Sequence, residues 1–163
     1  MAALDSKRRG IAIALVDRMK AINGDAGGYW NMVVAKNVTR GHIDLNRIDE
    51  NATPRITVEL GDEAVSDEQQ PASTKSVMVL AATIRAHKFI GETRDPDELD
   101  DEAERLLRDV VKSLFVGTAD LGSLVRTAIA IERAAKVVEQ GRIGWVTAAV
   151  DLGLSYTLVW AEP

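Results

Sequence analysis

The sequence predicts an α+β fold: a largely antiparallel or mixed sheet of about five strands with two helices packed on one face, in the order α-β-β-β-α-β-β. Three observations carry this. The first is Ser73–Ile90, STKSVMVLAATIRAHKFI, long enough for one extended strand and apolar on both sides. Met78, Leu80, Ala82 and Ile84 fall on one side; Val77, Val79, Ala81 and Thr83 fall on the other. The second is that only two segments show helical periodicity, enough to cover one face of a sheet. The third is the closing run Trp145–Trp160, in which Val150, Leu152, Leu154, Tyr156, Leu158 and Trp160 alternate with Asp151, Gly153, Ser155, Thr157 and Val159. A strand apolar on both sides needs cover on both. The side of Ser73–Ile90 left over by the helices therefore calls for a partner, most simply another copy of the same chain.

Taken in order, Asp5–Ile22 places Ile11, Leu15, Met19 and Ile22 at steps of four and three, an amphipathic helix. Asp5 or Ser6 caps it and Asn23-Gly24 ends it. Gly24–Gly28 reads as a flexible exit turn, and Tyr29–Lys36, aromatic and β-branched, reads as a strand. Residues 41–53 are polar and turn-forming, an irregular excursion or short hairpin extension. Pro54 introduces Arg55–Leu60, whose Ile56, Val58 and Leu60 alternate with Arg55, Thr57 and Glu59, with Gly61 as the stop. Asp62–Ser73, DEAVSDEQQPAS, has almost no apolar content and reads as a mobile loop, either one that orders on contact with a partner or a plain flexible connection.

Asp95-Pro96-Asp97-Glu98 opens the second helix, with Asp95 as cap, Pro96 in the first turn and Glu98 in a capping-box-like position. Its apolar stripe is Leu99, Ala103, Leu106, Leu107, Val110, Val111, Leu114 and Phe115, ending at Gly117. Val125–Glu132 alternates at Val125, Thr127, Ile129 and Ile131; its alanines permit a helix, but a strand reaching toward Val138, with a turn at Gln140-Gly141, fits the alternation better. No internal repeat or linker divides residues 1–163, which read as a single domain.

Composition narrows the chemistry. Apolar residues at 46% and charged residues at 28% are ordinary for a soluble globular chain. The absence of cysteine excludes disulfides, thiolate metal sites and cysteine nucleophiles. The apolar run Ile11–Val16 is broken by Asp17 and Arg18, against a signal peptide, and no run approaches the roughly 18–20 apolar residues of a membrane span. A soluble, cytoplasmic protein without membrane partners is expected. A net charge of −5 argues against non-specific nucleic-acid binding. The charge is unevenly spread: Lys7, Arg8, Arg9, Arg18 and Lys20 oppose Asp5 and Asp17 near the start, whereas Gly61–Gln70 and Asp95–Glu104 are acidic. Such a dipolar surface suits subunits that meet head to tail.

No catalytic signature is present, and no cofactor or metal is implied. His42 and His87 lack ligand spacing, and His87 reads as a surface or edge residue. Asp97, Asp100, Asp101, Glu102 and Glu104 do not form a calcium loop; Glu104–Arg108 and Asp101–Arg105, each at i,i+4, read as a solvated salt-bridged face. Gly24, Gly27 and Gly28 follow a helix and precede a strand, the reverse of a phosphate-binding loop. No GxSxG elbow links a serine to either histidine. Trp30, Trp145 and Trp160 read as core or interface anchors, and Lys7-Arg8-Arg9 as a solvated helix start.

The first helix, the strand entered through Pro54 in TPRITVELGDE, the long strand after a polar loop, the helix DPDELDDEAERLLRDVVKSLF and the closing strand DLGLSYTLVW together resemble the tail terminator proteins of long-tailed (siphovirus-like) phages, over about residues 6–160. The resemblance implies a structural virion protein rather than an enzyme. It would form a hexameric ring on the last ring of tail-tube protein, stop polymerisation and offer a surface to the head–tail connector. Its location would be the virion tail, after assembly in the host cytoplasm. By the same analogy, Val77, Val79, Ala81 and Thr83 would lie near the subunit interface, and Gly61, Asp62 and Glu63 would begin a loop reaching a ring neighbour or the tube. A neck or tail-completion protein is the alternative within virion assembly. A small α+β enzyme or ligand-binding module is the alternative outside it.

Overall fold

The computed structural model describes residues 2–66, 75–139 and 141–159, with side chains from Lys7 onward. Two helices, α1 (Ala2–Lys20) and α2 (Pro96–Leu114), accompany five strands: β1 (Val38–Arg40), β2 (Arg55–Val65), β3 (Lys75–Phe89), β4 (Ala130–Val138) and β5 (Trp145–Val159). The chain is α+β, with elements in the predicted order. Lateral order in the sheet is β1-β2-β3-β5-β4. β1 lies parallel to β2 and all other pairs are antiparallel. β3 and β5 are 15 residues each and pair in unbroken register from Lys75↔Val159 to Phe89↔Trp145.

Both helices cover one face of this sheet, as the two apolar stripes require. α1 buries Ile11, Leu15, Val16 and Met19, and α2 buries Leu99, Ala103, Leu106, Val110 and Leu114. They close over Met78, Leu80, Ala82 and Ile84 of β3 and Val150, Leu152, Leu154, Tyr156 and Leu158 of β5, one continuous cluster. Asp95 caps α2 by accepting the Asp97 N–H at 3.0 Å. Glu98 does not close a capping box directly: it accepts the Thr93 hydroxyl at 2.7 Å, which in turn accepts the Asp95 N–H at 3.2 Å. α1 begins at Ala2, so Asp5 and Ser6 lie within it rather than at its cap. Phe115, assigned to the α2 stripe, sits past the last helical turn and is exposed.

Four local expectations are corrected. Tyr29–Lys36 is not a strand; apart from one bridge, Asn23↔Met32, it is an irregular segment ending in a 3₁₀ turn at Ala35–Asn37. The reason is a competing set of partners. The buried Asp109 carboxylate of α2 accepts the backbone N–H of Trp30 (3.2 Å) and of Asn31 (2.7 Å) and the Asn31 side-chain amide (2.7 Å), withdrawing those groups from any strand ladder. The Gly24–Gly28 turn is likewise packed rather than loose. Lys112 Nζ donates to the carbonyls of Gly27 and Gly28, and a Cβ on Gly27 would fall 2.1 Å from Asn23 Oδ1. β2 does not stop at Gly61; it bulges between Leu60 and Glu63 and continues along β3 to Val65. The remainder of the loop expectation, residues 67–73, lies outside the described residues. Finally, β4 begins at Ala130, and Val125–Ile129 is held by isolated bonds, Arg126 N–H to Ser155 O at 2.7 Å and Ile129 N–H to Ala119 O at 3.0 Å.

The excursion at 41–53 forms two short 3₁₀ turns, Leu45–Arg47 and Glu50–Ala52, each started by an aspartate side chain accepting a backbone N–H two residues on.

Asp109→Ala leaves two buried donors of Asn31 and the part-buried Trp30 N–H without their acceptor, so it should lower stability by about 3 kcal/mol in urea unfolding. A loss under about 0.5 kcal/mol would show that the Trp30–Asn31 segment is held by something else.

Candidate functional site

The face of the sheet opposite the helices is where the sequence placed its site residues. On β3 it presents Val77, Val79, Ala81, Thr83 and Arg85, which pair in register with Thr157, Ser155, Gly153, Asp151 and Ala149 of β5. Val79 is 39% exposed and Ala81 is exposed; Val77 and Thr83 are half-buried by their neighbours on the sheet. The side chains are short, and the surface they form is shallow and mixed in polarity. Thr83 Oγ1 donates to Asp151 Oδ1 at 2.9 Å, and Arg85 pairs with Glu59 of β2 at 2.8 Å. Such a surface suits contact with another protein surface more than enclosure of a small molecule.

One end of this face is covered by the chain itself. His87 (4% exposed), Thr147 (6%) and Trp145 (2%) are all on the open side by register, yet buried. The 41–53 excursion supplies the cover: Thr53 Oγ1 accepts the Phe89 N–H at 3.3 Å, and Arg142 donates to the Leu45 carbonyl while its guanidinium lies 4.1 Å from the Trp145 ring centroid. His87 is therefore no surface or edge residue. Its Nδ1 lies 2.9 Å from Thr147 Oγ1, which donates to Glu139 at 2.9 Å, so the neutral ring acts as donor to the hydroxyl. Burial, reinforced by Arg85, Arg142 and His42, lowers the His87 pKa to about 4. Trp145 is the buried anchor the sequence suggested, whereas Trp30 stands 58% exposed outside any strand. Trp160 lies outside the described residues.

Midway along β3, opposite Leu80–Ala82, the bulge of β2 carries Gly61, Asp62 and Glu63. Arg8 of α1 donates to the Gly61 carbonyl at 2.9 Å and pairs with Glu63 at 3.3 Å; Tyr156 donates its hydroxyl to the same Glu63. Burial and the Glu63 carboxylate raise the Tyr156 pKa. Gly61 and Glu63 are thus tied to their own subunit; Gly61 and Asp62 are exposed and Glu63 is half-buried. Gly61 faces Ala81 across the strands, a Cβ on it falling 3.3 Å from that of Ala81. The bulge and the exposed stretch of β3 are consequently adjacent, a proximity that sequence reading did not show.

The acidic helix start is largely neutralised, with one change of partner. Glu104 pairs with Arg108 at 2.9 Å as expected, but Arg105 pairs with Glu102 at 2.7 Å instead of Asp101. Burial would raise Glu102, but Lys88 at 2.6 Å and then Arg105 outweigh it and hold its pKa low. Among the described residues, no three histidine or acidic side chains converge as a metal site, and no helix is long and apolar enough to cross a membrane. No protein-family model matches the chain, and no curated protein sequence matches it.

His87 gives the fold a pH dependence. The unfolded side chain titrates near 6.5 and the folded one near 4, so only the unfolded state gains a proton between those values. Stability should be level above pH 6.5 and fall by on the order of 3 kcal/mol as pH drops to 4. Urea midpoints measured from pH 7 to pH 4.5 should show this slope in the wild type and a flatter one in His87→Gln. An equal slope in both would remove His87 as its source.

Proposed function

We propose that this protein is a structural assembly subunit of a long-tailed phage, closing the polymerised tail tube as a ring of identical copies and offering the head-joining surface. The observation that carries the reading is the unequal cover of the β3–β5 ladder. One face is dry beneath two helices, while the centre of the other, around Val79, Ala81 and the bulge at Asp62, stays open. A strand pair whose second face carries valine and alanine in water gains by burying that face against another copy, about 25 cal/mol per Å² of apolar surface. The order of elements supports the same reading through its likeness to tail terminators, and the tube protein and the head–tail connector are the partners it implies. The 41–53 excursion limits the area open to such a contact, because it already covers the His87–Trp145 end.

Val79→Asp places a carboxylate in the middle of the proposed contact without touching the core. The variant should keep its circular dichroism spectrum and urea midpoint, yet remain monomeric by light scattering where the wild type forms rings visible in negative stain. Rings of normal mass from the variant would exclude this face as the seam.

A further inference from the structure

The helix side of the molecule carries two patches that complement each other. The first is a groove of 340 Å³ between α1, β1 and β2, floored by Ala12 and Leu60 and rimmed by Arg8, Arg9 and Arg40. Arg8 is occupied by Glu63 and the Gly61 carbonyl. Arg9 and Arg40 are exposed and have no hydrogen-bond or ion-pair partner among the described residues. The second patch is built on the segment that Asp109 pins. Tyr29, Asn31 and Val33 point inward and are buried, which turns Trp30 (58% exposed), Met32 (71%) and Val34 (50%) outward as a row. Trp30 borders a 260 Å³ recess with Asp101, Glu104, Arg105 and Arg108. Arg105 and Arg108 are taken by Glu102 and Glu104, so Asp101 is the carboxylate there without a cationic partner among the described residues.

We infer that the Trp30–Asp101 knob of one copy seats in the Arg9–Arg40 groove of a second copy, the indole over the Ala12–Leu60 floor and the carboxylate between the two guanidinium groups. The contact rests on the self-assembly reading above and assigns it a second surface. Charge complementarity selects the occupant: the groove holds two spare positive charges, and the knob holds an apolar anchor beside a spare negative one. Tryptophan and arginine are the side chains that dominate protein contacts, and a guanidinium stacks well on an indole. Knob and groove share no residue, so one copy can use both at once, and the contact runs head to tail. The ledge that carries the indole is fixed in advance, because the Trp30 and Asn31 backbone is bonded to the buried Asp109 and loses little freedom on binding.

The test uses the full chain in three variants: Trp30→Ala, Asp101→Arg, and the double change Arg9→Glu with Arg40→Glu. All four side chains are exposed, so urea midpoints should stay near that of the wild type. Light scattering against concentration at low salt should show each variant self-associating about tenfold more weakly or worse. An equimolar mixture of Asp101→Arg with the double arginine variant should regain wild-type association, because each then offers the other an opposite charge. Variants that assemble like the wild type, or a mixture that stays dissociated, would overturn the contact while leaving the open-face reading in place. A wild type that is monomeric at every concentration would bring down both. Loss of binding to a short DNA duplex in the double arginine variant, with normal assembly, would reassign the groove to a polyanion.

Discussion

The full-length pairing of β3 with β5 is the constraint on which the rest of this molecule depends. Fifteen residues on each strand stay in register, so every side chain of one sign of the alternation meets the helices and every side chain of the other sign does not. A slip of one residue would exchange Leu80, Ala82 and Ile84 for Val79, Ala81 and Thr83 beneath α1 and α2. The ladder thus sets the core and the exposed face together. Because β3 carries Val77, Val79 and Ala81 on its second side, while β5 adds only small or polar side chains there, the exposed face is a surface suited to later burial.

How the chain uses that surface depends on elements remote in sequence. Arg142 and Leu45 are 97 residues apart, and their contact lets the polar excursion close one end over Trp145 and His87. Arg8 reaches 53 residues to the Gly61 carbonyl and steadies the bulge midway along β3. Val79 lies beside this bulge, opposite Ala64 and just beyond the Gly61–Ala81 contact. On the helix side, the buried Asp109 carboxylate performs a comparable service, turning a segment of strand-like composition into a fixed ledge with Trp30, Met32 and Val34 facing out.

Periodic elements were legible in the sequence and tethered ones were not. α2, β3 and β5 repeat their apolar positions over many residues, and burial simply follows the period; Leu99, Ala103, Leu106 and Val110, or Leu152, Leu154 and Tyr156, fell where alternation put them. Tyr29–Lys36 failed because aromatic and β-branched composition reports a preference, and three hydrogen bonds to Asp109 outweighed it. The Asp62–Val65 stretch reads as loop by composition, but the extra length of β3 supplied a partner strand, and a bulge absorbed the mismatch at Gly61. His87 was misplaced for the same reason: its cover comes from residues 41–53, whose own pattern shows no periodicity. Of the candidate face, the residues Val77, Val79, Ala81 and Thr83 were readable from alternation alone. The nearness of the Asp62 bulge to them was not.

The chain contains no cysteine, so a single one placed at Ala81 reports on the centre of the open face alone. The most direct test follows the rate at which Ala81→Cys reacts with a small thiol reagent as protein concentration rises, beside Glu50→Cys on the excursion as a reference. If the face is the seam between copies, the Ala81→Cys rate should fall steeply over the range in which mass increases, while the Glu50→Cys rate stays level. An Ala81→Cys thiol that reacts as fast in the assembled protein as in the dilute one would contradict the account.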